Sequence, residues 1–275
     1  MDSDTTTVNN ILEFFTELFN KGASFSAINT AKSALATFLI TVDDVNWTNN
    51  FKIVKFLKGV FKLRTPLPKY SATWDVDRLL KFIISFYDTN DILDLKDLTL
   101  KTITLIAITS GSRAQALHKM NLDLCTKNDN QFTFVFNSPL KTSTPKNNNQ
   151  VLEIIKYNDE KLCPYRSLES YIKKTNSIRQ DACLWISFHK PHKKVGKQSI
   201  SRWIKLLLKK AGIDTEIFTA HSTRSASCSK ASQQGVGLDT ILKTANWANS
   251  ATFAKYYKKN VIQEKETFGQ AVLRL

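Results

Sequence analysis

The chain has 275 residues, 42% hydrophobic and 11% aromatic, with only eight Gly and six Pro; this suits one large or two modest helical domains and excludes a disordered polymer. Against 24 Asp and Glu stand 39 Lys and Arg, and the formal charge of +15 creates a field suited to neutralising the phosphates of nucleic acid. No apolar run is long enough to span a bilayer, no secretory signal opens the chain, and Cys125, Cys163, Cys183 and Cys228 show neither C-x-x-C pairing nor a histidine at zinc spacing. The expectation is a soluble intracellular protein with reduced thiols, no membrane partner, and no metal or cofactor. Metal-dependent nuclease chemistry would need clustered carboxylates, and the pairs Asp43-Asp44 and Asp159-Glu160 read as loop residues.

Residues 8 to 40 carry apolar side chains at helical spacing, interrupted at Lys21-Gly22, which predicts a helix hairpin with Ser26 available to cap its second arm. A basic amphipathic helix follows from about Phe51 to Leu63, and its Lys58 and Lys62 are candidate DNA contacts. Pro66 and Pro68 mark the sharpest break in composition. The expected organisation is therefore a domain over 1–65, a linker over 66–74 and a second domain over 75–275. In that second domain WDVDRLLKFIISFY reads as one helix and LTLKTITLIAITSGSRAQALHKM as another, apolar enough to lie at the centre of a core. The run FTFVFNSPLKTSTPKNNNQVLEIIKY predicts an antiparallel hairpin or sheet edge around a polar loop carrying Lys141 and Lys146. The helical period returns at LCPYRSLESYIKKT, breaks at KPHKKVGK, and continues through SRWIKLLLKKAGI and HSTRSASCSKASQQ to TILKTANWANSATFAKYYKK. The fold class is mainly α with a small antiparallel β-sheet.

Three places hold residues suited to chemistry. In FTAHSTRSASCSKA, His221 and Arg224 stand three apart; if Ser222 or Thr223 begins a helix, both can address one site beside backbone N–H groups that favour an anion. On its own, His-x-x-Arg recurs on many ordinary basic helices. Trp247 precedes the tandem Tyr256-Tyr257, with Lys255, Lys258 and Lys259 around them; an aromatic core stripe is the bland alternative. Arg113 follows a small, flexible Ser-Gly-Ser turn at the end of the apolar helix, where a plain surface charge is equally in keeping.

Taken in order, Arg113, Lys141, His221, Arg224, Trp247 and then Tyr resemble the active-site order of the tyrosine recombinase (phage integrase) superfamily. The longer runs LIAITSGSRAQALH, LKTSTP, LCPYRSLESYIKKT, ISFHKPHKKVGKQSISRWIKLLLKKAGID, AHSTRSASCSKA, GVGLDTILKTANW and TFAKYY resemble its eukaryotic branch, found in DIRS-like retrotransposons. GASFSAINTAKSALATFL and FLKGVFKLRTPLPKYSATWDV are similar to that branch's helical core-binding (SAM-like) DNA-binding domain and linker, so the likeness spans nearly the whole chain.

The resemblance implies a core-binding domain and a tyrosine-recombinase catalytic domain forming a C-shaped clamp on double-stranded DNA. Arg113 and Arg224 would hold the scissile phosphate, since a guanidinium stays charged and presents a planar fork to phosphate oxygens. His221 would assist proton transfer, Lys141 (or Lys146) would protonate the leaving 5′-oxygen, and Trp247 would donate its N–H to the phosphate. The nucleophile would be Tyr257 by the spacing of eukaryotic relatives, or Tyr256 by bacterial spacing; neighbours on a helix point about 100° apart, so one alone can face the phosphate. A 3′-phosphotyrosine intermediate, a tetramer on DNA held by the tail IQEKETFGQAVLRL, nuclear residence and integration of a mobile element follow from the same likeness. Because the chain starts almost directly at VNNILEFF, a clamp helix would be missing or short, and a catalytically silent, domesticated DNA-binding protein is the main alternative. A type IB topoisomerase and a helical scaffold are the others. Trp185, Trp203 and Phe253 read as core residues, His118, His189 and His192 as surface or structural ones, and Arg202 with the lysines of KPHKKVGK as DNA-backbone contacts or a solvated face.

Overall fold

A computed structural model describes residues 6–39, 46–67, 71–140, 143, 150–246 and 260–262. It divides into two compact units, Met1–Lys69 and Tyr70–Leu275.

The first unit is built on α1 (Val8–Asn20), α2 (Phe25–Phe38) and α3 (Phe51–Leu63). Ile11, Phe15, Ile28, Trp47, Ile53, Leu57 and Val60 fill its core, each large side chain contributing roughly 1.5–3 kcal/mol on burial. The cap of α2 is Ser24 rather than Ser26. Ser24 holds extended backbone (φ −69°, ψ 160°), and its hydroxyl accepts the Ala27 N–H at 3.2 Å, whereas Ser26 already lies inside the first turn. Beyond α3, Arg64 folds back on the α1–α2 connection: its Nη1 donates to the carbonyls of Phe19 (2.8 Å) and Ala23 (2.6 Å), and its guanidinium lies 3.9 Å from the Phe19 ring centre. Lys58 and Lys62 are exposed on the opposite side of α3 from Ile53, Leu57 and Val60.

The second unit runs β1 (Ala72–Trp74), α4 (Val76–Phe86), α5 (Leu95–Ser110), α6 (Ala114–His118), β2 (Cys125–Lys127), β3 (Gln131–Val135), β4 (Val151–Ile155), α7 (Pro164–Thr175), α8 (Lys197–Lys210), α9 (Ser222–Gln233), α10 (Leu238–Thr244) and β5 (Asn260–Ile262). It is mostly helical, with a three-stranded antiparallel sheet in the order β2-β3-β4. Phe132 opposes Ile154 and Phe134 opposes Leu152 on the buried face, while Thr133 opposes Glu153 on the other. The expected hairpin thus gains a third strand, β2, too short to announce itself by alternation.

The apolar stretch 98–118 is two helices, not one. Gly111 adopts the left-handed conformation (φ 58°, ψ 21°) and Arg113 is extended, so α5 stops and α6 starts anew. α5 buries twelve of its sixteen residues and packs against α7, α8 and α9, which makes it the central element of the unit. Lys101 is among those twelve, at 1% exposure, with Nζ 2.8 Å from Asn90 Oδ1. Burial, with the nearby Lys161 charge adding to it, brings its pKa down to about 8. Trp185 and Trp203 are buried in the same core; Phe253 lies outside the described residues.

Strand β1 was not foreseen: the last three residues of the expected linker pair in parallel with β5, Ala72 opposite Asn260 and Trp74 opposite Ile262. Thr73 and Trp74 are 1% and 4% exposed, so this end of the linker belongs to the second unit's interior. Among the described residues no helix is long and apolar enough to cross a membrane, and no group of three or more His, Cys, Asp and Glu could hold a metal ion.

Candidate functional site

The turn between α5 and α6 organises the site. A side chain at Gly111 would be strained at φ 58°, and its Cβ would stand 3.1 Å from Ala245 Cβ, so only glycine lets α10 approach this closely. The Ser-Gly-Ser turn, read from sequence as flexible, is therefore packed on both sides: Ser110 Oγ donates to the Ile106 carbonyl at 2.6 Å and accepts the Ser112 N–H at 3.3 Å. Arg113 occupies the N-cap position of α6 and is partly exposed. Arg224 reaches the same turn from α9, where its Nη1 donates to the Gly111 carbonyl. Two residues far apart in sequence thus meet at one short segment, Arg224 from beneath it at 1% exposure and Arg113 at its end.

α9 is an unusual helix to find buried, since STRSASCSKASQ has little apolar content. Its small side chains let it lie close to α5, and local hydroxyl bonds tie down its start. Ser222 Oγ donates to the Thr219 carbonyl (2.7 Å), Thr223 Oγ1 donates to the Ala220 carbonyl (2.8 Å), and the Trp74 Nε1–H donates to Ser222 Oγ (2.8 Å). The helix begins at Ser222, one of the two starts anticipated from the sequence, which sets His221 at the N-cap position. The two side chains then diverge in environment: His221 is exposed, while Arg224 is enclosed.

Arg113 and Arg224 both line a cleft of about 1000 Å³, walled by α4, α5, the β4 strand and the α9–α10 region. Phe136, Leu140, Val151, Ile155 and Tyr157 supply apolar wall, and Lys230 and Lys243 add further cations. Lys230 is ion-paired with Asp77. His221 does not line the cleft. Leu140 and Ser143, which flank Lys141, are bonded to one another: Leu140 N–H donates to Ser143 Oγ at 2.8 Å and Ser143 N–H to the Leu140 carbonyl at 2.9 Å. Lys119 fixes the preceding residues by donating to Ser138 Oγ (2.9 Å) and the Pro139 carbonyl (2.7 Å). Lys141, Lys146, Trp247, Tyr256 and Tyr257 themselves lie outside the described residues. Guanidinium groups that reach such a cleft can hold the oxygens of a phosphodiester through charge-assisted hydrogen bonds.

Away from the cleft, Arg202 is exposed on α8, with Nη2 3.3 Å from Ser199 Oγ. His118 and His189 are exposed, and His192 is hydrogen-bonded through Nδ1 to the Ser187 carbonyl at 2.9 Å. Sequence reasoning passed over Trp74 and Lys119. Trp74 stood at the end of the expected 66–74 linker and the head of a run read as a helix, with nothing to mark it out for the site; Lys119 was one basic residue among 39 Lys and Arg.

Several solved structures share this fold at low identity. The XerH site-specific recombinase bound to palindromic difH substrate in a post-cleavage complex has a TM-score of 0.60 at 12% identity, over 90% of this chain and 68% of that one. The Tn1549 transposon integrase in complex with circular intermediate DNA has a TM-score of 0.60 at 16% identity, covering 99% and 85%. A lambda integrase dimer bound to a COC′ core site has a TM-score of 0.56 at 13% identity, covering 95% and 82%. Comparison with curated protein sequences finds no match. The model of the phage integrase family matches residues 75–262, more than half of the chain and the whole span from α4 to β5, and the chain belongs to that family.

Proposed function

We propose that this chain is a site-specific DNA recombinase that cleaves and rejoins strands through a 3′-phosphotyrosine intermediate and serves the integration of a mobile element, in the eukaryotic DIRS-like branch of its family. The observation that carries the reading is the convergence of Arg113 and Arg224 on the Gly111 turn beside one cleft. In this reading the two guanidinium groups hold the non-bridging oxygens as charge builds on them. The Tyr257 phenol, with Tyr256 the alternative, attacks the phosphorus. The P–O5′ bond breaks, and the departing 5′-oxygen takes a proton from Lys141, or from Lys146, in the loop between β3 and β4. His221 manages the phenol's proton, and Trp247 donates its indole N–H to the phosphate. The phosphotyrosine conserves the bond energy, so a 5′-hydroxyl can reverse the step without external fuel.

Double-stranded DNA is the partner, engaged through phosphate contacts from Lys58 and Lys62 in the first unit and Arg202 in the second. Strand exchange needs two duplexes, so the working assembly is a tetramer on DNA, joined through the C-terminal tail, in the nucleus. The XerH recombinase, the lambda integrase and the Tn1549 integrase are each seen bound to DNA, which supports DNA as the substrate. The test uses duplexes enriched by wild-type binding from a random-sequence pool, nicked to trap the intermediate, and incubated in EDTA. A covalent protein–DNA adduct and recombinant product are expected. Tight, salt-sensitive binding without an adduct would instead make this a silent DNA-binding protein, and plasmid relaxation without recombinants a topoisomerase.

A further inference from the structure

Strand β1 joins the two halves of the proposed site, and Trp74 is where they meet. Through its side chain, Trp74 reaches α9: the indole Nε1–H donates to Ser222 Oγ at 2.8 Å, between two buried residues, and Ser222 Oγ passes a hydrogen bond on to the Thr219 carbonyl at 2.7 Å. Ser222 immediately follows His221 and lies two residues before Arg224. Through its backbone, the same strand pairs with β5, Trp74 opposite Ile262 and Ala72 opposite Asn260. β5 starts three residues after Tyr257. A second tie lies close by: Asp77, in the first turn of α4, is ion-paired with Lys230 two turns along α9. One short stretch therefore grips the phosphate-binding helix at both ends and the chain just beyond the nucleophile.

We propose that Trp74 is a positioning residue for strand cleavage. It touches no reacting atom. It sets the start of α9, and with it His221 and Arg224, relative to the strand that follows the tyrosines. The inference rests on the recombinase reading above. Because the contact is a single N–H···O bond behind a ring that also fills the core, the two roles of Trp74 are separable: Trp74→Phe keeps most of the buried ring and deletes the donor.

The test compares wild type, Trp74→Phe, Ser222→Ala and the double variant on the nicked, binding-selected duplexes, measuring adduct rate at saturating DNA, DNA affinity and Tm. A positioning role predicts that each single variant slows adduct formation about tenfold with affinity within about twofold of wild type, and that the double variant is no slower than the worse single one. A wild-type rate for Ser222→Ala would overturn the proposal, whether or not Trp74→Phe folds. So would equal losses of rate and affinity in a folded Trp74→Phe, or multiplicative losses in the double variant. Absence of any adduct from the wild type is a different result and would count against the recombinase reading itself.

Discussion

α5 and α9 pack against each other inside the second unit, yet they are made of different material. α5 buries Leu98, Leu100, Ile103, Leu105, Ile106 and Ile108 alongside three threonines, whereas α9 buries Ser222, Thr223, Arg224, Ser225 and Ser229, with only Ala226 and Cys228 as buried apolar side chains. Each helix also encloses one cation, and the two cations behave differently. Burial brings the Lys101 ammonium down to about 8, close enough to neutral pH for it to lose its proton under mild conditions. The Arg224 guanidinium, whose charge is delocalised over a planar fork, is the group suited to keeping its charge in an equally dry place. A helix that must present a permanent positive charge from within a core needs arginine. It also needs neighbours small enough to let that side chain lie between helices, which is what the serines of α9 provide. The apolar helix supplies most of the buried hydrocarbon, and the polar one carries the buried permanent charge on which the proposed chemistry relies.

The contrast is tested most severely at Arg224. Arg224→Ala should lower the adduct rate by about a hundredfold to a thousandfold on selected DNA, the loss typical of a removed oxyanion donor. Arg224→Lys sharpens the point: its ammonium, placed in the same buried setting, should lose its proton as pH rises. Its adduct rate relative to wild type should therefore fall further as pH rises through the alkaline range, because burial disfavours a charged ammonium. A pH-independent ratio between the two would show that burial is not what selects arginine. On the structural side, Ile103→Ala at a position with 0% exposure should cost about 2–5 kcal/mol in urea denaturation.

Lys101 gives the next effect in size. Its folded-state pKa lies below its ordinary 10.5, so between about pH 8 and 10.5 the unfolded chain binds more protons and the stability of the wild type rises with pH. Lys101→Met should be more stable than wild type near pH 7 by about 1–3 kcal/mol, and the gap should close as pH approaches 10.5, as read from paired denaturation curves. The smallest effects belong to the first unit's surface. Lys58→Ala and Lys62→Ala should each weaken DNA binding only a few-fold, about uniformly across sequences, and each should flatten the salt dependence of log K by about one.

What could be read from the sequence follows the length of each signal. α3 appears over Phe51–Leu63 as its basic amphipathic pattern foretold, because thirteen residues carry several turns of period. The start of α9 was narrowed to Ser222 or Thr223 and falls at the first of these; both hydroxyls bond back to preceding carbonyls. By contrast, β1, β2 and β5 have three residues each, too few to display alternation, and β1 and β5 are brought together from opposite ends of the second unit. Choosing Ser24 over Ser26 turns on a backbone angle, not on residue type. The Gly111 turn was visible as Ser-Gly-Ser, but the contacts that enclose it come from Ala245 and Arg224, more than a hundred residues away. For the site, Arg113, His221 and Arg224 were singled out by order. Their differing exposure, and the tie through Trp74, belong to tertiary structure alone.

The proposed reaction turns on attack by a tyrosine on DNA. The most direct measurement is to form the adduct in EDTA on the nicked duplexes, digest the protein, and identify the DNA-linked peptide by mass spectrometry in wild type, Tyr257→Phe and Tyr256→Phe. The expected result is a 3′-phosphotyrosine on Tyr257 that disappears only in Tyr257→Phe. A link to Tyr256 would move the nucleophile by one residue, whereas no link, or one to a residue other than these tyrosines, would rule out attack by either.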